Sequence, residues 1–436
     1  MIHPTTMEVY SALTALVLSS LLQARAFVPI SSPVQGSNMN LNKRGLVGAR
    51  GTACHQLTYG RSLKASSIPV DDSGDGGATS TVLCHGEILF DCIAKPEAAG
   101  WGLERMVEEA AWTPYPGGAL ANVACALSKL GVSACFVGAV GKDELGDELL
   151  RTLETSGVGT QLAKKIDHWP TRTVMVTRDM SGDRTFAGFG DGKPSDSFAD
   201  CHQRVIDVKD DVMPFLGKGT WLVQGTLGLA YPDSMESHVC LAEWAKEAGA
   251  TRYLDINWRP VFWELAAGGD GSDFEALARE RITAFARSAD VVKLTDEEAA
   301  WLCGVSGEEA LRDPSVVSTF FPSAKVILVT AGEKGAAYAI GGRTGFVPCF
   351  EDLGVVETTG AGDLSSPSGS GSGSSLEAIF SEGDADGGMA HDVVRFASAV
   401  GALTCCGEGA IGPQPTEEEV RQLLLSGGVR AADVKL

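Results

Sequence analysis

Past residue 80 the apolar positions fall into two alternating rhythms. Short apolar runs read as strands: "TVLCHGEILFDCIA" (81–94), "VSACFVGAVG" (132–141), "GTWLVQGT" (219–226), "TRYLDINWRP" (251–260), "DVVKLT" (290–295) and "AKVILVTAG" (324–332). Between them lie segments with apolar residues at i, i+3 and i+4, several closing on glycine as helices do. These are "GALANVACALSKLG" (118–131), "DELGDELLRTLETSG" (143–157), "MESHVCLAEWAKEAG" (235–249), "ALARERITAFARS" (276–288), "DEEAAWLCG" (296–304) and "HDVVRFASAVGALTCC" (391–406). "TRTVMVTRD" (171–179) and "RTFAGFG" (184–190) flank "MSGD" and predict a hairpin, and "GFVPCF" through "LGVV" (345–356) predicts one more strand. Such alternation predicts an α/β fold in three layers, with helices on both faces of a mostly parallel central sheet. Ligands of such sheets bind beyond the carboxyl ends of the strands, so the loops after strands are where chemistry is expected.

The first 80 residues follow neither rhythm. Residues 1–70 hold one acid, Glu8, and six bases, which leaves 29 bases against 55 acids in the remainder, a charge of −26. A basic, Ser-rich head on an acidic body reads as a targeting segment. "SALTALVLSSLLQARA" (11–26) contains an eleven-residue apolar run from Ala12 to Leu22, followed by Ala24-x-Ala26. That run is too short to span a bilayer but suits a signal-peptide core. From Phe27 to about Val70 the chain is acid-free and rich in Ser, Asn and Arg, and "DDSGDGGATS" (71–80) forms a polar linker. The expected division is a signal peptide over 1–26, a transit peptide and linker over 27–80, and one body over 81–430. The "ARAFVP" junction resembles the two-part plastid-import signals of algae with secondary plastids, which implies a plastid location.

Composition narrows the classes of function. With 436 residues and 44% hydrophobic content, a large core is available. A net charge of −21 argues against nucleic acid or an anionic membrane as a partner through bulk electrostatics. The eleven cysteines form no CxxC and mostly sit in apolar segments, so they read as small hydrophobes in a reducing compartment. The seven histidines show no metal-ligand spacing, and no GxxxxGK[ST] loop is present.

One stretch stands out as chemistry. "ETTGAGD" (357–363) follows the predicted strand at 345–356. Gly360, Ala361 and Gly362 let backbone N–H groups converge on an anion, and a helix starting there would add its positive end. Such a nest stabilises charge on a transferring phosphoryl group, with Asp363 placed to take a proton from an attacking hydroxyl. A bare GxG-D turn is common and by itself is more often only a turn. Other loops add to it. "PGGALANVACALSKLG" sets Gly117 and Gly118 before a helix whose Asn122 faces the loop end, and "GAVGKDELG" is a second Gly-rich turn. "DINWRPVFW" places Asn257 and Arg259 just past a strand. Glu298, near a helix start, is either a capping acid or a contact to Mg²⁺-bound water. "VTAGEKGA" ends a strand with Gly332 and Gly335, where a nucleotide could approach the backbone.

In this order these segments resemble the pfkB family of carbohydrate kinases, and most closely its fructokinase-like branch. The resemblance runs over about residues 80–428. Its two signatures are the Gly-Gly…Asn-Val-Ala segment and the Thr-Thr-Gly-Ala-Gly-Asp turn, about 240 residues apart. It implies a ribokinase-like fold with a small β lid, built from about 81–95 and 170–190. It also implies ATP-dependent phosphorylation of fructose or a related ketose or keto-sugar acid. Residue by residue, it implies Asp363 as base and Gly360, Ala361 and Gly362 as anion hole. It places Asp91, Gly117, Gly118, Asn122 and Arg259 at the sugar, with Asn257, Thr330, Gly332 and Gly335 at the nucleotide and Glu298 at Mg²⁺. ATP and Mg²⁺ are the implied cofactors, K⁺ a further one, and a homodimer through the lid is the implied assembly.

The chain departs from that pattern in places. Glu357 stands where members usually carry an Asp that helps form a monovalent-cation site, which puts K⁺ in question. Ser398 replaces a common Asn near the adenine pocket, and Leu120 a frequent Pro. After Asp363, where members continue into an apolar helix, Leu364 to Ser375 contains seven Ser, three Gly and one Pro. Gly at about 1 kcal/mol each and interior Pro367 at about 3 would penalise a helix by about 6 kcal/mol. Two further readings stand beside the sugar kinase. One is a non-catalytic fructokinase-like scaffold of plastid transcription machinery; the other is a nucleoside kinase.

Overall fold

The computed structural model describes residues 81–101, 105–106, 109–178, 184–268, 273–350, 353 and 388–426. Nine strands form the main sheet in the order β13-β12-β11-β10-β9-β8-β1-β4-β5. They are β1 (Val82–His85), β4 (Ala134–Gly141), β5 (Ala163–Ile166), β8 (Trp221–Gln224), β9 (Thr251–Asp255), β10 (Val291–Thr295), β11 (Val326–Thr330), β12 (Ala336–Ile340) and β13 (Arg343–Val347). Seven run parallel, and β12 and β13 add an antiparallel edge. The fold is therefore the three-layer α/β arrangement expected.

Alternation along the strands decides which helices cover which face. Val326 and Leu328 of β11 lie on the sheet face covered by α1 (Ala119–Lys129), α2 (Glu144–Thr155), α8 (Gly388–Thr404) and α9 (Glu417–Leu425). Ile327 and Val329 point to the opposite side, against α5 (Phe274–Ala286), α6 (Asp296–Cys303) and α7 (Gly307–Arg312). Leu83 and Leu222 meet α3 (Pro232–Ala248) on that same side. A short helix, α4 (Pro260–Ala266), opens on Pro260, whose missing N–H costs nothing at a helix start.

A second sheet, β3-β2-β6-β7, forms the lid, from β2 (Leu89–Ala94), β3 (Trp112–Gly117), β6 (Thr173–Arg178) and β7 (Arg184–Phe189). The β6–β7 pair is the predicted hairpin. The stretch 81–94 is two strands rather than one, and its first half lies in the main sheet. All four residues of β1 are buried, as a central strand covered on both faces requires. The break falls at Gly86, where a Cβ would come within 2.7 Å of Leu120. The lid gains β3, which carries two prolines at a sheet edge and is hard to read as a strand. Strand β13 ends at Val347 before Pro348, and the rest of the strand expected over 345–356 is not continued in the described residues.

Candidate active site

The carboxyl ends of β1, β8, β9, β10 and β11 point to one edge of the main sheet. Three loops there converge on the start of α1. Leu120 fills the space in front of both Gly86, after β1, and Gly225, after β8, and Asn257, after β9, lies 3.9 Å from where a Cβ on Gly225 would stand. Gly118 caps α1 with φ of 103°, a conformation that leaves no room for a side chain because the Glu87 carbonyl and the Ile88 backbone lie against it. Glu87 is buried and its Oε1 accepts a hydrogen bond from Ala119 N at 2.9 Å, so a carboxylate sits on the helix's positive end. Asn122 is buried one turn further in.

The lid meets this point from the other side. Asp91, on β2, stands opposite Tyr115 of β3, and its Oδ2 occupies the space a Cβ on Gly117 would need. Lid strand and helix start thus bring together Asp91, Gly117, Gly118 and Asn122, four positions that sequence reasoning grouped for the sugar.

The loop after β9 is held under strain. Asn257 is buried with φ of 44°, a left-handed conformation uncommon outside glycine. Its amide donates to Asp255 Oδ1 at 3.2 Å, and the Asp255 carboxylate also receives Lys293 Nζ at 3.0 Å and 3.2 Å. Lys293 is wholly buried on the neighbouring strand β10, where it stands opposite Asp255. The next amide, Trp258 N, donates to Glu298 Oε1 at 2.6 Å, and Arg259 caps α4 half-buried. Thr226, after β8, donates its hydroxyl to the Ile256 carbonyl.

Glu298 serves as a cap here: Oε2 accepts Thr295 N at 2.8 Å while Thr295 Oγ1 accepts Glu298 N at 3.0 Å, a reciprocal capping box. Both carboxylate oxygens therefore already receive amides, and among the described residues no cluster of three or more metal-ligating side chains exists. A Mg²⁺ ion that keeps its waters and rides on substrate phosphates needs no such cluster, so the fit is to an outer contact and not to a protein cage.

Thr330 ends β11 buried, with its hydroxyl 3.4 Å from the Leu294 carbonyl. Gly332 and Gly335 follow with φ of 52° and 118°, in a tight turn closed by Ala331 N to Gly335 O at 2.9 Å. At Gly335 a side chain would run into the Val347 carbonyl, so backbone packs on backbone there. Lys334 pairs with Asp296 at 3.1 Å and ties this turn to α6. Asp363, Gly360, Ala361, Gly362 and Glu357 lie outside the described residues, as does the Ser/Gly tract. Ser398 is buried within α8, donating to the Val394 carbonyl at 2.9 Å.

Sequence reasoning passed over Glu87, Thr226, Asp255 and Lys293. A lysine inside the apolar run "DVVKLT" was the available signal, since a buried ammonium requires a counter-charge nearby.

The family match decides the identity. Residues 79–417 match the pfkB family of carbohydrate kinases. The chain belongs to this family. A probable chloroplastic fructokinase-6 of Arabidopsis thaliana is 32% identical over 361 residues, covering 81% of this chain and 85% of that one. The crystal structure of fructokinase with bound ATP from Xylella fastidiosa superposes with a TM-score of 0.65 at 26% identity, covering 81% of this chain and all of that one. A double-mutant fructokinase of Vibrio cholerae, in a form bound to fructose, ADP and potassium ion, gives a TM-score of 0.61 at 25% identity over 80% of this chain and all of that one. The sheet and lid described above are thus those of a pfkB carbohydrate kinase, an ATP-dependent sugar-phosphorylating enzyme at the level of the family.

Proposed function

We propose that this kinase phosphorylates a ketohexose, with fructose as the first candidate, and that Asp363 is its general base. The observation that carries the reading is Asp91 seated against Gly117 beside the start of α1. A lid carboxylate facing a side-chain-free backbone is suited to hold sugar hydroxyls by accepting their hydrogen bonds. The sugar would lie between the lid and the helix start, held by Asp91, the Gly117–Gly118 backbone and Asn122. Arg259 would supply positive charge on the sugar side, near the sugar or the phosphates. The nucleotide would lie along the loops of β9 and β11, against Asn257, Thr330, Gly332 and Gly335.

In the step itself a sugar hydroxyl oxygen attacks the γ-phosphorus as Asp363 takes the hydroxyl proton, and ADP leaves. The amides of Gly360, Ala361 and Gly362 would face the charge on the transferring group. Glu298, at the rim, would order the waters of a Mg²⁺ ion carried with ATP, which would supply charge neutralisation. Glu357 leaves K⁺ activation as a separate question, answered by comparing turnover in K⁺ and Na⁺. Residues 1–26 and 27–80 would act as signal and transit segments that deliver the body to a plastid, a reading supported by the chloroplastic relative.

The test is coupled turnover with ATP on fructose, other ketoses, keto-sugar acids and nucleosides. Asp363→Asn is expected to lower kcat by about 10²–10⁴-fold while ATP still binds. Unchanged turnover in that variant would remove Asp363 from the mechanism. A wild-type chain inert on every sugar, with Asp363→Asn leaving the cellular phenotype intact, would favour the scaffold.

A further inference from the structure

The seam between lid and body holds a charge that phosphotransfer leaves unused. Arg172, the residue before β6, has a side chain with no solvent exposure. Its Nε donates to Asp200 Oδ2 at 2.8 Å, and its Nη2 to the Ser195 carbonyl at 3.0 Å and to Cys201 Sγ at 2.8 Å. Nη1 is buried and reaches no acceptor among the described residues.

Four aromatic rings surround the guanidinium. Its Cζ lies 4.6 Å from the ring centre of Phe198, 5.0 Å from Phe189, 5.5 Å from Tyr231 and 5.6 Å from Phe262. These rings come from different parts of the molecule. Phe189 closes the lid strand β7, Phe198 lies on the chain leaving the lid, Tyr231 caps α3, and Phe262 is in α4. One planar cation therefore joins lid and body, and a lysine could not hold this forked geometry among four rings.

The backbone around it leads straight to the sugar side. Thr171, one residue earlier, gives its N–H and its hydroxyl to the Asp143 carboxylate at 2.8 Å and 2.6 Å, and Asp143 caps α2 in the body. The Arg172 carbonyl accepts Phe90 N at 3.1 Å, and the residue after Phe90 is Asp91. The position of Asp91 over the sheet is thereby set by where Arg172 pins the root of β6.

We propose that Arg172 is a positioning residue for the acceptor sugar, fixing the lid to the body so that β2 holds Asp91 in place. The inference rests on the phosphotransfer reading above. It is tested on the full chain with Arg172→Lys, which keeps the charge opposite Asp200 but loses the fork, and with Arg172→Met. Two readouts are needed. The first is hydrogen exchange without substrate, comparing lid strands 89–94 and 173–178 with the body strand 326–330. The second is steady-state kinetics with fructose and ATP varied separately.

In Arg172→Lys the lid strands are expected to exchange at least about tenfold faster while 326–330 is unchanged. The KM for sugar should rise about tenfold, with KM for ATP within about twofold of wild type. Full restoration by lysine, an unmoved lid, or equal change in both KM values would overturn the assignment. A wild-type chain that turns over no sugar would defeat the phosphotransfer reading and the assignment with it. A wild-type chain that does turn over sugar, paired with an unaltered lysine variant, would defeat the assignment alone.

Discussion

Lys293 and Asp255 show how much one pair of side chains carries. Both are buried, one on β10 and one on β9, and the shared carboxylate also holds the Asn257 amide. Removing one partner strands a charge in the interior, so Lys293→Met is expected to cost about 3–5 kcal/mol in denaturant unfolding. The double variant Lys293→Met with Asp255→Leu should recover much of that loss, and a double variant no better than the single one would contradict the ion-pair account. Asn257 makes a different demand. Its left-handed backbone can be kept by Asn257→Gly but not by a β-branched residue. Asn257→Val should therefore destabilise by about 1–3 kcal/mol more than Asn257→Gly in the same unfolding experiment.

At the scale of elements, Glu298 ties the start of α6 to the loop after β9 through its two oxygens. Glu298→Ala removes the reciprocal half of a capping box and leaves the Trp258 amide without its carboxylate. Thermal or chemical melting should show a loss of about 1–3 kcal/mol even with no nucleotide present. An unchanged stability would mean that the acid is held in reserve for a ligand. Strands and helices with strong periodicity were legible in the sequence, as β4, β11 and α2 illustrate. Strand β3 was not, because prolines at an edge carry no strand signature, and β12 was passed over because its "AAYAI" follows a glycine turn that drew a functional reading. Gly117 and Asn122 were legible as candidates because they share one compact segment, and Asp91 because it closes the separate "GEILFD" stretch. Arg172 and Lys293 were missed because their partners, Asp200 and Asp255, lie 28 and 38 residues away and are joined only by folding.

For the molecule as a whole, two buried histidines tie stability to pH. His85 and His238 lie ring against ring, with centroids 4.2 Å apart, inside a network with Gln203 and Gln224. Burial holds the pKa of His85 well below its ordinary value, helped by His238, and burial lowers that of His238 to about 4. The unfolded chain would protonate both near pH 6.5 while the folded chain would not, so the unfolded state binds more protons as pH falls. Stability is then intact above about pH 6.5 and declines below it, by up to about 1.4 kcal/mol per pH unit for each histidine, with the His238 share complete near pH 4. Denaturant midpoints from pH 7.5 to 5 should follow that slope, and His238→Gln should flatten it. An equally steep decline in the variant would assign the effect to other groups.

Strand β3 also reaches a distant part of the chain: the Tyr115 hydroxyl donates to Glu408 Oε2 at 2.9 Å, and its ring lies on Gly409. That fastening joins the lid's outer edge to the turn behind α8, on the far side of the polypeptide's own order. Any tilt of the cover must tug on this turn, and any ligand or modification gripping the turn would in return bias how far the cover opens.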